Sequence, residues 1–120
     1  MANPIIHWEI GGSDLLKLKE FYSSLFAWKI SDDNDTNYSM CDTGEGGIGG
    51  GLSGIAENCP AKNFVVFYVK VDDLQASLDK AVELGGKALV PPTVISQEHG
   101  SFALFQDPEG NTIGVWKGNH

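Results

Sequence analysis

Two side chains near the start of the chain have the types and spacing for proton chemistry. His7 and Glu9 stand two residues apart in Ile5-Ile6-His7-Trp8-Glu9-Ile10. Alternate residues of an extended strand share a face, so His7 and Glu9 point one way while Ile6, Trp8 and Ile10 point the other. An imidazole titrates near neutrality and can take up or return a proton. A carboxylate beside it perturbs both pKa values. The plain alternative is an ion pair that holds the sheet and does no chemistry, and residue types alone leave both readings open.

The other reactive residues are scattered. His99 sits in the loop Gln97-Glu98-His99-Gly100, either approaching a ligand or simply exposed, and His120 ends the chain, where disorder is expected. His7, Glu9 and His99 make an improvised metal site only if the fold converges them. Cys41 and Cys59 are the two cysteines. Without C-x-x-C spacing they read as buried free thiols of a reducing cytosol rather than a zinc or redox pair. Gly44-Glu45-Gly46-Gly47-Ile48-Gly49 matches G-x-G-x-x-G literally. A dinucleotide fingerprint needs a helix to follow, and Gly50-Gly51-Leu52-Ser53-Gly54 cannot hold one. These glycines read instead as a hairpin that allows close backbone approach. Neither H-E-x-x-H nor G-x-S-x-G occurs.

The elements that must position these residues follow from periodicity. Residues 5–10 form a half-buried strand, broken by Gly11-Gly12. Ser13 or Asp14 caps a helix whose apolar positions Leu15, Leu18, Tyr22 and Leu25 recur near the helical period. Residues 28–30 begin a second strand, the Asp32-Asp33-Asn34-Asp35 cluster turns, residues 38–42 make a third strand and residues 48–53 a glycine-loaded fourth. After a connector the order restarts. Residues 64–71 are a strand with Val65, Phe67, Val69 and Val71 on one face and Phe64, Val66 and Tyr68 on the other. Asp72 or Asp73 caps a helix with Leu74, Leu78, Ala81 and Val82, and Gly85-Gly86 closes it. Strands follow at 87–90, stopped by Pro91-Pro92, at 101–106, and at 112–117 after the turn Asp107-Pro108-Glu109-Gly110.

The chain is thus strand, helix, strand, strand, strand, twice. Asp14-Leu15 falls on Asp73-Leu74, Leu25 on Leu84, His7 on Val66, and Ile48-Gly49 on Ile113-Gly114. Such an internal repeat predicts a pseudo-two-fold α+β domain. Its modules span about residues 4–54 and 63–118, joined by a connector at 55–62. Each helix covers one sheet face, and the other needs an apolar partner. Phe64, Val66 and Tyr68, with Gly114, Trp116 and Thr112, give that second face the mixed aromatic and polar lining typical of small-molecule sites.

Bulk numbers narrow the partners. With 120 residues the chain fits one domain, and burial of roughly 65% of its extended surface supports a core without staples. Sixteen acidic against eight basic residues give a net charge of −8, which repels phosphate backbones and anionic lipid. Nucleic acid and membrane surface are therefore not expected partners. The beginning of the chain shows neither a basic leader nor a long apolar run, so a cytoplasmic protein is expected.

The order and spacing of several motifs resemble the vicinal-oxygen-chelate superfamily of glyoxalases, bleomycin-resistance proteins and extradiol dioxygenases. They are His7-Trp8-Glu9-Ile10 followed by Asp14, residues 21–28, residues 69–74, Leu84-Gly85-Gly86-Lys87, and residues 102–105 running into Asp107-Pro108-Glu109-Gly110-Asn111. The resemblance covers nearly the whole chain. It implies paired βαβββ modules whose curved sheets wrap a cleft, and often a homodimer. It also implies a divalent metal held by the first and last strand of each module. Carried over by position, those sites are His7, Gly49 (or Gly50), Val66 and Gly114. Only His7 can ligate, whereas three protein ligands are the usual minimum, so no metal cofactor is expected. The leading expectation is then a metal-free protein that binds a small, partly aromatic molecule through His7, Glu9, Gly49, Phe64, Val66, Tyr68, His99, Gly114 and Trp116. An enzyme of the superfamily, a lyase, isomerase or dioxygenase using an atypical metal site or His7 and Glu9 as acid and base, is the second. A protein-interaction domain without a ligand is the third.

Overall fold

The structure is a computed structural model that describes residues 2–32, 37–54 and 63–118. The expected acidic turn beyond Asp32, the connector at 55–62 with Cys59, and His120 lie outside the described residues. Eight strands and two helices follow in the expected order. They are β1 (Ile5–Gly12), α1 (Leu15–Phe26), β2 (Lys29–Ile30), β3 (Tyr38–Asp42), β4 (Gly50–Gly54), β5 (Phe64–Lys70), α2 (Leu74–Glu83), β6 (Lys87–Ser96), β7 (Gly100–Gln106) and β8 (Thr112–Lys117). No described helix is long and apolar enough to cross a membrane.

The chain forms two compact units, residues 7–66 and residues 1–6 with 67–120. The N-terminal unit carries strands in the order β2-β3-β4-β1, the C-terminal unit β5-β8-β7-β6. The repeat read from the sequence recurs in the pairing. In each unit the first strand runs parallel to the last, β1 with β4 and β5 with β8. The remaining neighbours are antiparallel. Residues before the first strand pack with the C-terminal unit, since Lys70 N–H donates to the Pro4 carbonyl at 2.9 Å and Asn3 Nδ2 donates to the Lys70 carbonyl at 3.0 Å.

Helix boundaries have local causes. Asp14 caps α1 by accepting from Lys17 N–H at 3.0 Å, and Asp73 caps α2 by accepting from Ala76 N–H at 3.0 Å. Each satisfies one of the amides that a helix start leaves without an internal partner. The end of α2 is a Schellman motif: Gly86 N–H reaches the Ala81 carbonyl and Gly85 N–H the Val82 carbonyl, with Gly85 at φ 104°. The end of α1 uses Ala27 at φ 59° instead, a left-handed position where a Cβ is strained.

Several strand limits differ from expectation. β1 continues through Gly11 and Gly12 because both pair with β4, at Ser53 and Gly54. β4 starts at Gly50 rather than Ile48. The Ile48 carbonyl is already taken by the Trp8 indole N–H at 2.6 Å and the Thr43 hydroxyl at 3.1 Å. β6 runs through Pro91-Pro92 instead of stopping before them. It is the outer strand of its unit's order and slips register against β7 around the prolines, an arrangement that tolerates missing donors.

The two helices pack unequally. Leu74 and Leu78 of α2 bury against Ala103 and Val115, flanked by Val69, Val71 and Phe105. Removing the Leu78 side chain would cost about 2–5 kcal/mol. α1 buries no residue fully. Leu15, Leu18 and Tyr22 are half-buried, and the helix is held by ring contacts, with Tyr22 stacked on Trp28 at 5.3 Å and tilted pairs Phe26–Trp28 at 5.2 Å and Trp8–Trp28 at 5.0 Å. Leu25, expected to face the core, is exposed, as is Val82 of α2. In each case the tighter neighbours, the Trp28 cluster and Leu78, occupy the inward stripe. Of the apolar positions expected on one face of β5, Val69 and Val71 pack on the core, but Val65 is exposed.

Candidate functional site

Cross-strand register sorts the side chains of each unit onto two faces. In the N-terminal unit Trp8 pairs with Gly50, and Ile10 with Leu52. Ser39 and Cys41 stand opposite the same two β4 residues, so these side chains share the face that carries the Trp28 cluster. His7, Glu9 and Gly11 of β1, Gly51 and Ser53 of β4, and Tyr38 and Met40 of β3 lie on the helix-free face. That alternation comes directly from the two-residue period of the strand.

His7 and Glu9 are brought together there through a residue the sequence reading missed. The His7 Nε2 atom lies 2.7 Å from the Tyr38 hydroxyl, and the same hydroxyl hydrogen-bonds the Glu9 carboxylate. A carboxylate only accepts, and a phenol has a single proton to give. With Glu9 ionised, Tyr38 donates to Glu9, and His7 must donate its Nε2 hydrogen to the Tyr38 oxygen. Burial raises the Glu9 carboxyl above its ordinary pKa, and the Tyr38 bond offsets part of that rise. Burial lowers the His7 imidazole below its ordinary value. Both groups are thereby pushed towards their neutral forms.

Gly51 makes this contact possible. A Cβ at Gly51 would overlap the Tyr38 hydroxyl and ring edge, so the phenol crosses β4 only because that position has no side chain. The signal for Tyr38 in the sequence was slight, one aromatic residue opening the third strand. Its partners depend on the register of β3 against β4, which no local pattern reveals.

The glycine of the expected chelating position, Gly49, precedes β4 and is exposed, with only the Cys41 carbonyl near its missing Cβ, at 3.4 Å. Gly50, the alternative, faces the Trp8 indole on the opposite side of the strand. Phe64 lies over Gly11, whose added Cβ would collide with the ring. Val66 is buried and carries no donor atom.

In the C-terminal unit, Tyr68 pairs with Gly114 and Gly114 with Leu104, again on the helix-free face. The Tyr68 ring fills the space where a Gly114 side chain would stand and meets Phe102 edge-on at 6.4 Å. Trp116 shares that face opposite Phe102, and its indole N–H donates to the His99 carbonyl at 2.7 Å. The His99 N–H is in turn held by the Ser96 hydroxyl at 2.8 Å. His99 therefore reaches this face by its backbone, while its side chain is exposed.

The superfamily's divalent ion does not fit this donor set. Only His7 of the four positions has a ligating atom, its Nε2 is engaged with Tyr38, and the Gly114 position is overlain by a phenol ring. Three His, Cys, Asp or Glu side chains do not converge anywhere among the described residues. Cys41 is buried, its thiol pushed up to about 11, so it is unreactive at neutral pH. A depression of about 660 Å³ opens in the C-terminal unit beside the start of α2, walled by Asp73, Leu74, Pro92, Val94, Ser101 and Lys117. It does not bring together a hydrogen-bonded acid and base like the His7–Tyr38–Glu9 group.

Comparison with known proteins agrees with this architecture. The family model of the Glyoxalase/Bleomycin resistance protein/Dioxygenase superfamily matches residues 5–115. A glyoxylase-like domain-containing protein of Didymella fabae is 31% identical over 122 aligned residues, covering 92% of this chain and 94% of that one. CFP32 of Mycobacterium tuberculosis, which bears a provisional glyoxylase name, is 32% identical over 114 residues. That match covers 89% of this chain but only 42% of CFP32, so the chain spans less than half the length of that relative. Among solved structures, methylmalonyl-CoA epimerase of Mycobacterium tuberculosis superposes with a TM-score of 0.68 at 14% identity, covering 95% of this chain and 87% of the epimerase. The chain belongs to the glyoxalase/bleomycin resistance protein/dioxygenase superfamily.

Proposed function

We propose that the protein binds a small, partly aromatic organic ligand on its helix-free faces without a metal ion. The observation that carries this reading is the His7–Tyr38–Glu9 chain, a half-buried, hydrogen-bonded polar group set among apolar and aromatic side chains. Sites for small molecules combine such an apolar lining with a few placed polar groups. Phe64, Tyr68 and Trp116 supply aromatic surface on the same kind of face, and His99 contributes through its backbone. The same reading makes a small molecule the partner, rather than nucleic acid or membrane, for a chain of net charge −8. It places the protein in the cytoplasm and gives it a homodimeric form, for which the exposed Leu16, Phe21 and Leu25 of α1 offer apolar surface.

A melting-temperature screen against aromatic metabolites and antibiotics tests the proposal. At least one compound should raise Tm in the native protein, by mass action on the folded state, and lose most of that effect in His7→Gln. A complete set without any shift would rule the proposal out.

A second reading, a lyase or isomerase using His7 and Glu9 as acid and base, is favoured by one observation. Tyr38 links the two groups, so a proton taken by one can be balanced by its neighbour. The epimerase with the similar fold is an enzyme of the isomerase class by its name. Exchange of a substrate proton with solvent deuterium, abolished by Glu9→Gln, would identify this activity.

A further inference from the structure

We infer that the ligand of the N-terminal unit carries a cationic hydrogen-bond donor, an ammonium or amidinium on an apolar body, and that Glu9 selects it. This rests on the ligand-binding reading above. With Glu9 ionised, the hydrogen-bond chain has a direction: His7 gives to Tyr38, and Tyr38 gives to Glu9. Glu9 is therefore its terminal acceptor. A carboxylate offers about four lone-pair sites, and Tyr38 supplies one proton. Among the described residues no ion pair reaches Glu9, and the one ion pair is Lys19 with Asp32. Lys29 stands on β2, paired opposite Asp42, and two strands separate β2 from β1. His7, on the same face of β1, is held towards its neutral form by burial.

A half-buried carboxylate with one neutral donor is poorly compensated for the water it has lost, and a charged donor compensates it best. Met40, 52% exposed, faces the same side opposite Gly51. Its flexible thioether suits an apolar body of variable shape. The net charge of −8 draws cations and repels carboxylates before contact is made.

Three probes sharing a phenyl ring separate the outcomes: phenethylamine, 2-phenylethanol and 3-phenylpropionate. Each is titrated near pH 7.5, where a primary amine is charged, into the native protein and into Glu9→Gln, following amide NMR shifts. The amine should bind the native protein at least about tenfold more tightly than the alcohol, the carboxylate should bind least, and Glu9→Gln should erase the order. Equal binding of the three probes, or an order that survives Glu9→Gln, overturns the inference and leaves the ligand-binding reading intact. Failure of all three to bind the native protein removes that reading and the inference with it. If Glu9→Gln does not give a folded spectrum, Glu9→Asp retracts the same charge by one methylene. It should then weaken the amine more than the alcohol, and equal weakening overturns the inference.

Discussion

The helix-free faces of the two units are built on one plan and used differently. In each, a tyrosine lies across a glycine of the neighbouring strand, Tyr38 over Gly51 and Tyr68 over Gly114. Tyr38 delivers its hydroxyl to His7 and Glu9. Tyr68 lays its ring beside Phe102 and Leu104 on a face that also carries Trp116. The duplicated scaffold thus supports a polar, titratable face in one unit and an aromatic one in the other. A glycine in the neighbouring strand is what lets each ring lie across the sheet.

The strongest way to break the comparison is to place a carboxylate at Gly114. Gly114→Glu should destabilise the protein by about 3 kcal/mol or more in urea unfolding, because the new side chain must displace the Tyr68 ring and enters a buried position with its charge unpaired. Gly51→Ala sharpens the contrast from the other side. Its Cβ should push the Tyr38 hydroxyl away at a cost of about 1–3 kcal/mol. NMR titration should then show the Glu9 carboxyl higher still, since burial would persist without the bond that offsets it. Tyr38→Phe should reproduce that rise with a smaller loss of about 1 kcal/mol.

The smallest effect is a pair of opposed pH dependences. Glu9 is raised by burial above its ordinary 4.5, so the folded state keeps its proton longer than the unfolded chain does. Stability should fall as pH climbs from about that ordinary value through the folded one. His7 is lowered from its ordinary 6.5, so the unfolded chain binds the proton first. Its contribution is complete above about that ordinary value and is lost as pH falls towards the folded one. Urea midpoints measured across this range should lose the first slope in Glu9→Gln and the second in His7→Gln. Unchanged slopes in both variants would show that neither group is buried as described.

Much of the architecture was legible because its signals are local. Asp14 and Asp73 announce their helices, Gly85-Gly86 closes one of them, and the same order of elements occurs twice. The turn at Asp107 was equally readable: its carboxylate accepts from the Glu109 and Asn111 amides at 2.9 and 3.0 Å, and these bonds, led by the Asn111 side chain, hold it below the usual carboxylate range. Pro91-Pro92 misled, because a proline stops a strand only where its missing donor is needed, and on an outer strand it is not.

By itself the sequence determined the repeated βαβββ order and the facing of His7 with Glu9, since each follows from residue type and from periods of two or 3.6 residues. Only the tertiary structure decided that Tyr38 stands between His7 and Glu9, that Gly51 is the glycine that admits it, and that Tyr68 covers Gly114. These contacts join residues far apart in the chain through strand register. Register is set by many cross-strand contacts acting together, and a shift of a single residue would turn every one of these side chains to the other face.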